Sequence, residues 1–137
     1  MPAPRALPLV ARLRRDAVCL AALAALRIAL TCAGYAAIRK RMPEAAASPQ
    51  SHYYARQLAR RIERLARFVP RASCLTQALA LQYLLARAGH ACDLHVGVRR
   101  DPAGRFEAHA WVSCNGRIVL GAATTRLADF TPLAERR

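Results

Sequence analysis

Acidic residues are scarce in this chain: Asp and Glu number 8 against 22 Lys and Arg, for a formal net charge of +14. Aromatic side chains are thin as well, at 6% of 137 residues, with a single tryptophan. The five cysteines, Cys19, Cys32, Cys74, Cys92 and Cys114, contain no CxxC pair. Each shortage excludes something. An odd set of widely spaced cysteines does not make a disulfide scaffold, and it points to a reducing, cytoplasmic setting. Basic stretches without interleaved aromatics, and without a zinc-finger or RNP pattern, argue against nucleic acid. Cys92 and His95 lie three apart in a strand-like stretch and face opposite sides, so they do not chelate one metal. No metal and no cofactor is expected.

What is present is a folded core. Hydrophobic residues make up 55% of the sequence, mostly Ala, Leu and Val, and the length suits one domain with an N-terminal helical extension. The positive charge leans to the front: 13 basic residues stand against 3 acids in residues 1–70, and 9 against 5 in the rest. Such a surface fits an acidic peptide, a partner protein or a membrane surface, or is simply a solvated arginine-rich face.

Residues 1–15 read as a mobile start. Residues 17–38 are apolar apart from Arg27, Thr31 and Gly34. Arg27 at mid-bilayer would cost about 2.5–3.5 kcal/mol on insertion scales, which disfavours a span. A packed or partner-facing helix and a peripheral membrane contact, helped by "RKR" at 39–41, both remain open. "MPEAAASPQS", residues 42–51, reads as a linker, so the expected division is a helical segment over 1–51 and a core over 52–137. Helical spacing resumes over 52–68 and stops at Pro70.

From residue 74 the pattern changes. A strong helix over 74–88 ends at Gly89. "CDLHVGV", residues 92–98, alternates as a strand does, and "FEAHAWVSC" leads into Asn115-Gly116, the signature of a type I′ hairpin, with "RIVLGA" returning. One helix followed by consecutive strands predicts an α+β fold, with the helix packed on an antiparallel sheet.

Two residues stand out chemically. Ser73 is a good N-cap, which puts Cys74 in the first turn of its helix, where unpaired N–H groups and the helix dipole favour a thiolate. Cys74, Ala78, Leu81, Leu85 and Ala88 form one stripe facing the sheet. His109 lies on the following strand, on the face of Trp111 and opposite Ala108, Ala110 and Val112. A cysteine at a helix start and a histidine on a later strand make the pair used in nucleophilic acyl transfer. The bland alternative is a buried cysteine on an apolar stripe and a satisfied strand histidine. Trp111 reads as a shield for the site, and His52, His90 and His95 as solvated side chains. Cys114 lies on the apolar face, away from His109.

"CLTQALALQYLLARAGHACDLHVGVRR", "FEAHAWVSCNGRIVLGA" and the closing "FTPL" resemble the leader-peptidase part of lasso-peptide biosynthesis B proteins, which belong to the transglutaminase-like cysteine protease superfamily. The resemblance implies N-terminal helices followed by a transglutaminase-like, papain-like core. It implies a cysteine peptidase that removes the leader from a ribosomally made lasso-peptide precursor before a separate cyclase closes the macrolactam. Cys74 matches the nucleophile and His109 the general base, with N–H groups at the helix start, and Gln77 as a further candidate, around the oxyanion. Fused relatives carry a recognition domain in front. This chain looks like the stand-alone peptidase, with the precursor leader, a separate leader-recognition protein and the lasso cyclase as partners. The family also places an Asp on the strand after the histidine. A simple hairpin register sets Cys114 opposite Arg117, Ser113 opposite Ile118 and His109 opposite Ala122. The slot at residues 121–124, "GAAT", holds no carboxylate, and Asp129 does not match the motif. A catalytically weak or inactive peptide-binding module of the same fold is therefore the alternative, and an acyltransferase that hands the acyl group to an amine is a third reading.

Overall fold

Alanine, leucine and arginine, all strong helix formers, fill the first half of the chain and make it helical. The computed structural model describes residues 6–45, 52–121 and 129–133. It places α1 at Leu9–Cys32, α2 at Gly34–Arg41, α3 at His52–Ala66 and α4 at Cys74–Arg87. α1 starts within the stretch expected to be a mobile start: Pro8 cannot continue a helix backwards, and its carbonyl accepts from the Arg12 N–H at 3.1 Å. The apolar stretch 17–38 is thus parts of two helices, broken at Ala33 before Gly34. Among the described residues no helix is long and apolar enough to cross a membrane. Of the expected linker, residues 42–45 are non-helical, and 46–51 lie outside the described residues.

The sheet comprises β1 (Asp93–Arg100), β2 (Phe106–Cys114), β3 (Arg117–Leu120) and β4 (Thr131–Pro132), in the spatial order β3-β2-β1-β4 with every pair antiparallel. This is the expected α+β arrangement, with one more strand than the alternation signalled. β4 was invisible to pattern reading because it is two residues long and contains Pro132, which an edge strand tolerates. The Leu133 N–H donates to the Val96 carbonyl at 2.8 Å and fastens that edge. Asn115 and Gly116 have φ of 50° and 77°, as a type I′ turn requires.

The hairpin register begins as expected, with Cys114 opposite Arg117 and Ser113 opposite Ile118, and then slips. Val112 pairs with Leu120, so Val119 is the extra residue of a β-bulge. Simple counting to Ala122 therefore fails by one row beyond the bulge. Residues 122–124, most of the expected carboxylate slot, lie outside the described residues.

α4 buries Ala78, Leu79, Ala80, Leu81 and Leu85 in one core with Leu94, Ala110, Val112 and Cys114 of the strands. Cys19, Ala22 and Leu23 of α1, with Ala55, Ala59 and Ile62 of α3, extend that same core. Leu79, Leu81, Leu85 and Val112 are each 0% exposed. Each such side chain contributes about 1.5–3 kcal/mol from leaving water. Of the predicted α4 stripe, Ala78, Leu81 and Leu85 are buried, Cys74 is half-buried at one end and Ala88 is exposed at the other.

The opposite face of the sheet is closed by Trp111 and Phe130, which lie over Gly97. A Cβ added there would stand 2.9 Å from the Phe130 Cβ and 3.0 Å from Cη2 and Cζ3 of Trp111. Gly97→Ala is expected to cost about 1–3 kcal/mol of stability, as overpacking does. A lower urea midpoint at unchanged slope would show it, whereas a midpoint equal to wild type would mean the two rings give way freely.

Candidate active site

Cys74 owes its position to the cap before it. Ser73 adopts an extended backbone, and its Oγ accepts the Thr76 N–H at 3.3 Å. That bond satisfies one of the donors a helix start leaves unpaired. Thr76, fully buried, also brings its Oγ1 to 3.2 Å from the Ser73 Oγ, which fixes the cap from below. The Gln77 N–H closes the first turn on the Ser73 carbonyl. The Cys74 and Leu75 N–H groups are left without an acceptor among the described residues. Two free donors beside a thiol are the elements of an oxyanion site. The Gln77 side chain is turned back, donating to the Ala72 carbonyl at 3.4 Å.

Topology carries this helix start toward the row of His109. α4 hands over to β1 through residues 88–92, so its last turn lies by the Asp93–Ser113 row. Fourteen helical residues span about 21 Å. The Gly97–His109 row lies four strand residues beyond Asp93, about 13 Å along β1. The helix is therefore long enough to run back past His109. Burial along β2 changes at the same level: Ala110 is buried and Ala108 is exposed, so the helical cover ends between them.

His109 projects from the other face of β2, since Ala110, Val112 and Cys114 form the face that α4 covers. Its Nε2 lies 2.7 Å from the Gly121 carbonyl oxygen. A carbonyl only accepts, so Nε2 carries the proton and Nδ1 is the basic nitrogen. Gly121, with φ of 93°, follows directly on β3, and a Cβ there would stand 2.8 Å from the Trp111 Cβ and 2.9 Å from the Ala110 carbonyl. Only a glycine lets the backbone approach β2 this closely in that conformation. The partner of His109 at the start of the expected carboxylate slot is thus a backbone carbonyl. Cys74 and His109 are not hydrogen-bonded to each other among the described residues.

The ring of His109 is held by aromatics. Phe130 lies 5.5 Å from it, tilted by 40°, and Trp111 lies 6.2 Å away at 21°. His95 stacks on the far side of Trp111 at 5.5 Å and shares a 2.8 Å hydrogen bond with the Ser113 Oγ. Arg99 closes the row: it lies 4.8 Å over the Phe130 ring and pairs with Glu107 at 2.7 Å and with Asp129 at 3.8 Å. Asp129 therefore anchors the residue that covers Phe130 and is not bonded to His109.

Several of these residues escaped the sequence reading. His95 is not the solvated side chain expected. Alternation separated it from the face of Cys92, and the register His95 opposite Trp111 puts it beside that ring. His90 and His52 are also partly buried, each with an Nδ1 that has no hydrogen-bond partner among the described residues, and His90 lies 5.0 Å from the ring of Tyr54. Gly121 and Phe130 had no signal, since a carbonyl's role depends on a bulge that no residue announces. Among the described residues no group of three or more His, Cys, Asp or Glu is placed to hold a metal ion. A cavity of about 790 Å³ lies elsewhere, between α1, α3 and the end of α4, with Arg14, Arg15, Arg61 and Arg87 on its walls.

A family model described as the transglutaminase-like superfamily matches residues 17–135 of the chain. No curated protein and no solved structure matches it.

Proposed function

Because the chain belongs to the transglutaminase-like superfamily, which includes cysteine peptidases, we propose that it is a cysteine peptidase with Cys74 as nucleophile and His109 as general base. The observation that carries this reading is the commitment of the His109 Nε2 proton to the Gly121 carbonyl, which leaves Nδ1 to take a proton. In the mechanism we infer, Nδ1 of His109 removes the thiol proton of Cys74. The thiolate attacks the scissile carbonyl, and the Cys74 and Leu75 N–H groups hold the oxyanion. Collapse of the tetrahedral adduct expels the amine, which takes the proton back from His109, and water then hydrolyses the thioester.

The resemblance of "CLTQALALQYLLARAGH" and "FEAHAWVSCNG" to lasso-peptide B proteins supports a narrower substrate: the leader of a ribosomally made lasso-peptide precursor, presented by a separate recognition protein. The arginine-walled cavity at the far end of α4 is a fitting place for such a protein or for an acidic leader. Incubating the full chain and its recognition protein with a cognate precursor is expected to give two fragments, cut at the leader–core junction, by mass spectrometry. A ligated product would identify an acyltransferase instead. An intact precursor that nevertheless co-elutes with the protein would favour the second reading, a peptide-binding module. That reading draws on the neutral carbonyl beside His109 where the family has a carboxylate.

A further inference from the structure

The pairing Asp93–Ser113 closes the β1–β2 ladder, and Cys92 and Cys114 are the next residues outward on the two chains at that end. Cys114 is part of the core beneath α4, and Cys92 packs against that same core. Both are free. Interaction between the two thiols pushes Cys92 up, with burial adding to it, and pulls Cys114 down. Access differs between them. Cys114 is 2% exposed, whereas Cys92 lies on the wall of a cavity of about 280 Å³ that also has Arg39, Glu44, His90 and Asp93 on its walls.

We propose that Cys92 and Cys114 form a cross-strand dithiol that a low-molecular-weight disulfide such as oxidised glutathione converts into an intramolecular disulfide. The first proton leaves from Cys114, which the interaction between the thiols favours as thiolate. Cys114 then takes the Cys92 proton, so the thiolate appears on the sulfur that faces the cavity. Cys92 attacks one sulfur of the oxidant, forming a mixed disulfide and releasing one thiolate. Cys114, deprotonated again, attacks the Cys92 sulfur, forms the protein disulfide and releases the second. The cysteine pair gives up two electrons, the oxidant gains two, and both thiol protons end on the two released thiols.

Geometry makes the bond a reversible one. Opposed strand residues hold their Cβ atoms about 4.5–5.5 Å apart, while a relaxed disulfide needs about 3.5–4.5 Å. Closing it draws the strands together, and strained disulfides are the reducible ones. The bond would tie the α4–β1 connection to β2 at the end of the sheet away from Cys74.

The test uses the full chain carrying Cys32→Ser and Cys74→Ala, so it is independent of the peptidase reading and of dimers through the exposed Cys32. The protein is exposed to oxidised glutathione, quenched with an alkylating agent, and read by intact mass and peptide mapping. The expected result is a loss of two hydrogens, a peptide linked through Cys92 and Cys114, and full reversal by dithiothreitol. Adding Cys92→Ser is expected to abolish the linked peptide. A stable glutathione adduct at Cys92 with Cys114 still alkylatable after unfolding would overturn the proposal. So would linkage of either cysteine to Cys19, or an unchanged mass while circular dichroism reports an intact fold.

Discussion

Cys74→Ala is expected to leave the precursor whole under conditions in which the wild-type chain cuts it, a loss of at least about a thousandfold in rate. The reason is chemical. The thiolate supplies the bond that splits one difficult hydrolysis into two easier steps, and alanine offers no atom to form it. The fold is expected to survive. Cys74 is half-buried at the first position of α4, the Ser73 cap bonds the backbone of Thr76 and not the sulfur, and the stripe below it is held by Ala78, Leu81 and Leu85. Removing one sulfur at such an edge costs far less than emptying a core site. Circular dichroism and retained binding of the precursor therefore separate lost chemistry from lost structure. A variant that still cuts at the wild-type rate would mean the nucleophile is another group, and the reading would fall with it.

The same residues show what a single sequence can reveal. The start of α4 was legible because a cap acts locally: Ser73 before an Ala/Leu-rich helix needs no tertiary context. The alternation of β1 and β2, and the Asn115-Gly116 turn between β2 and β3, were legible for the same reason. The face of each strand residue followed from a period of two, so His109 and Trp111 were correctly separated from Ala110 and Val112.

What escaped depends on contacts between distant segments. The bulge at Val119 shifts the hairpin by a row, and nothing in "RIVLG" signals it. β4 is two residues held by pairing to Gly97 and Val98. It exists because β1 offers it an edge, not because Thr131 and Pro132 prefer extension. Phe130 reaches His109 only because of that pairing. The same limit explains Cys92 and Cys114. They are 22 positions apart in sequence and were set aside for lacking a motif, yet an antiparallel ladder brings them to the same end of the sheet.

His109→Gln tests the other half of the pair and the unusual way the ring is oriented. The substitution is expected to lower kcat by about 10²–10⁴, the contribution of a positioned general base, with KM changed little. Glutamine is the informative choice because its amide still donates to the Gly121 carbonyl, so the approach of β3 to β2 is preserved. Loss of the ring's contacts with Phe130 and Trp111 leaves the main core untouched, since that core lies on the other face. In the proposed mechanism the Gly121 carbonyl sets the ceiling on the wild-type rate. It selects the tautomer with Nδ1 free, as a carboxylate would, but it carries no charge to offset the imidazolium that forms when Cys74 gives up its proton. Orientation is kept and electrostatic support is not. The wild-type enzyme is thus expected to be slow for its class, and His109→Gln slower again by at least a further factor of about 100. Cleavage by His109→Gln at the wild-type rate would mean that the ring is held by Phe130, Trp111 and Gly121 for packing alone, and that Cys74 is deprotonated by its helix start without a base.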